Sequence, residues 1–132
     1  MHWTQIDETT IGDVTVLRLE GHLTLDAQER SLRQVIEHLI ALKRTKVVLD
    51  LGRVPYIDSL GVGEIVRAYA VVVRAGGSLK LAKVGDRVHE VLRATQLTKV
   101  LAVFDSVERA AVSFRIASMH HRSTAKGAVG KS

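Results

Sequence analysis

The chain has 132 residues, a net charge of +5 and no cysteine. That length suits one domain able to bury its own core, and the missing cysteine excludes disulfides, thiolate nucleophiles and cysteine-ligated zinc while pointing to a reducing, cytoplasmic setting. The opening MHWTQIDETT has no basic stretch leading into an apolar run, and no segment approaches the roughly 18 apolar residues of a membrane span, so a soluble protein without membrane insertion is expected.

Taken in chain order, the first third alternates. DVTVLRLEGHL places Val14, Val16, Leu17 and Leu19 in a mostly period-2 strand, and Gly12-Asp13 reads as a turn from an earlier strand over about residues 3–10. An N-terminal hairpin follows from that pattern. After Asp26 the period becomes helical, with Leu32, Val35, Ile36, Leu39, Ile40 and Leu42 at helical spacing, and Asp26 or Thr24 is the expected cap. KVVLDL, residues 46–51, has the β-branched character of a strand covered on both faces. Ser59 to Ala75 is helical again and stops at Gly76-Gly77. A strand near 78–84, a helix over about 86–94, a strand at 102–104 and a helix from Ser106, its cap, to Ile116 complete the body.

The order ββαβαβαβα defines a single α/β domain over residues 1–116. Its mixed, mainly parallel sheet has about four to five strands, with an antiparallel hairpin at the start and about four helices. Residues 117–132 are expected to form a basic, flexible tail. All the net charge but one unit lies in 115–132, where Arg115, Arg122, Lys126 and Lys131 occur without an acid. The body is nearly balanced, so direct binding of nucleic acid is not expected.

One stretch carries chemistry: VPYIDSLGVGEIV, with Asp58-Ser59-Leu60-Gly61 between a strand and a helix. A nucleophile elbow needs glycines two residues either side of the serine; Gly61 fits and Ile57 does not. His22, His38 and His89 carry no mark that would assign a base to Ser59. Gly61-Val62-Gly63 lacks the third glycine or alanine of a dinucleotide fingerprint, where Val66 stands, and a P-loop Gly-Lys-Ser/Thr is absent. His120-His121 and the scattered carboxylates lack metal-site spacing, so neither metal nor cofactor is implied.

Asp58 or Ser59 would cap the helix. Projected at 100° per residue, Val62, Ile65, Val66, Tyr69, Val72 and Val73 form the face expected to meet the core. Leu60, Gly63, Glu64, Arg67, Val71 and Arg74 fall opposite, and the apolar Leu60 and Val71 there mark a candidate partner surface.

DLGRVPYIDSLGVGEIVRAYAVVVRAGGSLKLAKVGDRVHEVLRATQLTKVLAVFDSVERA, preceded by VTVLRLEG, resembles the STAS domain family and in particular the bacterial anti-sigma factor antagonists. The ordered set carries the likeness, from Gly21 through the D-S-x-G turn at 58–61 and the Gly76-Gly77 stop to about Phe114. The resemblance implies a switch protein without catalysis of its own. Unmodified, such an antagonist binds an anti-sigma factor that is also a serine kinase of the GHKL ATPase type; the kinase phosphorylates the serine after the aspartate, and a PP2C-like phosphatase restores it.

Ser59 occupies the phosphorylation position, Asp58 matches the adjoining acid, and Gly61 matches the glycine that lets a partner approach. Many antagonists have Gly-Glu-Leu-Asp where this chain has Gly21-His22-Leu23-Thr24, and a second serine where it has Leu60. The loop 21–26 adjoins the switch in the family, so His22, Thr24 and Asp26 join Leu60, Gly63, Glu64, Arg67 and Val71 as expected partner-binding residues.

The alternatives are a stressosome scaffold, a regulatory subunit of a membrane transporter and, remotely, a serine-dependent enzyme. The outer edge of the first strand can also support a homodimer.

Overall fold

The computed structural model describes residues 3–21 and 31–124. Strands β1 (Trp3–Ile11) and β2 (Val14–Gly21) form the hairpin, followed by α1 (Leu32–Ala41), β3 (Lys46–Arg53), α2 (Ser59–Arg74), β4 (Ser78–Ala82) and α3 (Asp86–Ala94). A short 3-10 turn, Leu97–Lys99, leads to β5 (Val103–Phe104) and α4 (Val107–Thr124). The sheet order is β1-β2-β3-β4-β5, with β1 antiparallel to β2 and the other neighbours parallel. This is the expected α/β domain with its hairpin at one edge.

Alternation within the strands explains the layers. Leu17, Leu19, Val47, Leu49, Leu51, Leu79 and Leu81 point to one face and pack with buried residues of α1, α2 and α3. Val14, Val16, Val48 and Ala82 point to the other and meet Ala110, Ala111 and Phe114 of α4. The central β3 is therefore covered on both sides, with Val47, Leu49 and Leu51 on one face and Val48 beside the buried Asp50 on the other.

The hairpin turns at Gly12, whose φ of +63° is one that glycine tolerates and larger residues resist. Helix α2 stops where expected. Gly76 adopts φ +85°, and the Gly76 and Gly77 N–H groups donate to Val73 and Val72 carbonyls at 2.9 Å.

Three boundaries differ from the sequence expectation. Ser31 caps α1 by accepting from the Gln34 N–H at 3.3 Å, because the helix begins at Leu32 and a cap must immediately precede its first turn. Thr24 and Asp26, expected there, lie outside the described residues. The 3-10 turn was not anticipated; it follows Gln96, which takes φ +64° without being glycine. Finally, α4 runs on past Ile116 to Thr124, while its expected cap is in place, with Ser106 Oγ accepting from the Arg109 N–H at 3.1 Å.

Candidate functional site

Chain leaving the carboxyl end of β3 is pinned at two points before α2 begins. Val54 and Ile57 are buried in the main core, while Pro55 and Tyr56 between them are exposed. Tyr56 faces Arg87 of α3, whose guanidinium carbon lies 5.8 Å from the ring centroid. Buried Ile57, at the place where a nucleophile elbow needs glycine, fixes the loop by packing.

Asp58 is the cap. Its backbone is extended (φ −106°, ψ −174°), its Oδ1 accepts from the Gly61 N–H at 3.0 Å, and its carbonyl accepts from the Val62 N–H at 2.9 Å. With capping done by its neighbour, Ser59 is the first helical residue and is exposed. Among the described residues its hydroxyl makes no hydrogen bond, to histidine or to any other side chain.

Leu60 is 61 % exposed beside it. Gly61, expected to let a partner approach, is buried in this structure.

The face that α2 buries also differs from the projection. Gly61, Ile65, Ala68 and Val72 are the buried residues, and Val62, Tyr69 and Val71 pack half-buried at their margins. Val66 and Val73, assigned to the core, are 38 % and 45 % exposed. The helix is thus turned by about 70° from the expected orientation at 100° per residue. The small Gly61 and Ala68 are among the buried residues, whereas the pattern weighted the larger valines.

Val71 is consequently part of the core margin and not of the wet face. Leu60, Val66, Arg67, Val73 and Arg74 form the exposed ridge, with half-buried Gly63 and Ala70 as low points. Glu64 is half-buried and engaged in an interaction. Val66 and Val73 are the surface residues that sequence reasoning missed; the signal was present in the spacing of Gly61, Ile65, Ala68 and Val72.

His22, Thr24 and Asp26 lie outside the described residues. Among those described, no group of three or more histidines and carboxylates is placed to hold a metal, and no helix is long and apolar enough to cross a membrane. A groove of about 410 Å³ lined by Phe104, Val112 and Ser113 lies on the α4 side, away from Ser59.

A five-stranded mixed sheet with helices on both faces, and a capped D-S-x-G turn at the carboxyl end of a central strand, defines a class of small α/β domains. The STAS domain family model matches residues 5–110, and the chain belongs to that family. The anti-sigma F factor antagonist of Paenibacillus polymyxa is 26 % identical over 114 residues, covering 86 % of this chain and 97 % of the relative. Among solved structures, an anti-sigma factor antagonist from Mycobacterium paratuberculosis superposes with a TM-score of 0.70 at 20 % identity, covering 84 % of this chain and 93 % of the other. The Bacillus cell-fate determinant SpoIIAA in its phosphorylated form gives 0.63 at 20 % identity, covering 83 % and 99 %. These structural likenesses establish the shared fold.

Proposed function

We propose that the protein is an anti-sigma factor antagonist in a partner-switching pathway. Unmodified, it binds an anti-sigma factor that is also a GHKL-type serine kinase through the exposed ridge of α2, and this releases the sigma factor. The kinase transfers the γ-phosphoryl group of ATP to Ser59 Oγ, ADP leaves with the bridging oxygen, and the hydroxyl proton passes to a base of the kinase. A PP2C-like phosphatase hydrolyses the ester and resets the switch.

The observation that carries this reading is the exposed Ser59 hydroxyl, unengaged among the described residues because Asp58 already caps α2, at one end of a ridge bearing Leu60, Val66 and Val73. The named function of the Paenibacillus relative supports it. Phosphate adds about −1.5 to −2 charges at a helix N-terminus, where the dipole and unpaired N–H groups favour an anion, so the fold survives modification. The complex does not. Burying that charge without a partner costs about 3–5 kcal/mol, or roughly two to four orders of magnitude in affinity.

The outer edge of β1, at the end of the sheet, is the surface through which a second copy would pair.

The test is incubation with ATP and the kinase encoded nearby, followed by mass spectrometry and a binding assay. Phosphate on Ser59 with loss of the complex is the expected result. Absence of transfer by every cognate kinase would overturn the reading, and ester or nucleotide hydrolysis lost in Ser59→Ala would indicate an enzyme instead.

A further inference from the structure

Arg67 is exposed, but its guanidinium does not extend straight away from α2. A Cβ added to Gly63 would lie 3.5 Å from both Nη1 and Nη2. The side chain therefore folds back one turn toward the helix N-terminus, the direction in which helical side chains lean, and rests over the glycine. Ser59 stands four residues further along, about 6 Å in axial rise, and residues four apart share a face. Arg67 belongs to none of the ion pairs among the described residues.

Phosphate on Ser59 would meet a mixed electrostatic setting. The Asp58 carboxylate is adjacent and already holds the Gly61 N–H, and the Val62 N–H is taken by the Asp58 carbonyl, leaving the N–H groups of Ser59 and Leu60 from the first turn. Glu64 lies on the same helix, and Arg87 of α3 is drawn to the Tyr56 ring. Among the described residues of the ridge, Arg67 is the cation whose side chain runs toward Ser59. Its guanidinium matches phosphate geometry and can bond two oxygens at once.

On the reading that Ser59 is phosphorylated, we propose that Arg67 is the internal receiver of that phosphate: the guanidinium resting over Gly63 swings toward Ser59 and pairs with the phosphoserine. One modification then changes the ridge twice. A dianion is added beside Leu60, and the positive charge of Arg67 is withdrawn from the surface that a partner reads. Gly63 is a positioning residue in this device: a Cβ there would only touch the guanidinium, at 3.5 Å, whereas a longer, branched side chain such as leucine would take its seat.

The test places phosphoserine at position 59 of the full chain during translation, by stop-codon suppression, and follows its second ionisation by phosphorus NMR. Pairing with Arg67 favours the dianion, so the midpoint should be lower in the parent than in Arg67→Gln by about half a pH unit, the scale of an exposed ion pair. Arg67→Lys should recover part of that shift. Gly63→Leu should raise the midpoint as Arg67→Gln does although the arginine is retained, while Arg74→Gln, farther along the ridge, should leave it unchanged. Equal midpoints in the parent and Arg67→Gln would overturn the proposal, as would an unshifted Gly63→Leu. No kinase takes part, so this failure is distinct from a kinase failing to modify Ser59, which would count against the proposed function alone.

Discussion

Asp58 separates two jobs that adjacent residues could have shared. By accepting from the Gly61 N–H it starts α2, and the Ser59 hydroxyl is left unengaged among the described residues. Asp58→Ala should therefore lower stability by about 1 kcal/mol in urea denaturation, while Asp58→Asn, which also caps well, should hold most of it. A loss as large in Asn as in Ala would mean that charge and not capping holds the turn. This part of the site was legible because capping chemistry is local: an Asx residue, a serine and a glycine in sequence between a strand and a helical period. The start of α1 was not, since Thr24, Asp26 and Ser31 all have suitable side chains and only the onset of the helix at Leu32 selects Ser31.

Helix α2 shows what element-scale patterning can and cannot specify. Its bounds and its stop at Gly76-Gly77 follow from periodicity and glycine geometry. Its rotation does not, because a period fixes which residues share a face without saying how close that face comes to the sheet. Here the buried face includes the small Gly61 and Ala68, and Val66 and Val73 lie outside it. Changing both exposed valines to serine should alter stability by no more than about 0.5 kcal/mol each, since exposed positions are tolerant. Partner affinity should fall at least about tenfold if these residues anchor the ridge. Val71→Ser should do the reverse, losing about 1 kcal/mol of packing with little effect on binding. Calorimetric titration with the unmodified protein's partner, alongside thermal unfolding, checks both; weaker binding only in Val71→Ser would restore the orientation expected from the sequence. The far end of α4 was illegible for a different reason: beyond Ile116 the apolar period fades, so nothing in the pattern marks Thr124 as its end.

At the scale of the molecule, the Ser59 turn and the α4 cluster use different ends and faces of the sheet. Ser59 follows the carboxyl end of β3, where open parallel sheets place their binding sites, while α4 closes the opposite face with a smaller cluster around Phe114. That face contains a charged group under constraint. Lys80 Nζ donates to Ser113 Oγ at 2.7 Å and lies 4.2 Å from the Phe114 ring centroid and 5.7 Å from that of Phe104. Burial lowers the Lys80 pKa from its ordinary 10.5. Unfolding returns it to the ordinary value, so between the folded pKa and 10.5 the unfolded chain binds more protons, and the stability contributed by this group rises with pH before levelling above that window. Below the folded pKa both states are protonated and the contribution is constant. The stability difference between the parent protein and Lys80→Met, measured by urea denaturation from about pH 8 to about pH 11 at fixed ionic strength, should climb through that window. Phe114→Ala should flatten the climb by readmitting water to the amine, and should also destabilise the domain by about 3–5 kcal/mol. A difference between parent and Lys80→Met that stays flat or falls as pH rises would show that the rings and Ser113 stabilise the ammonium more than burial disfavours it.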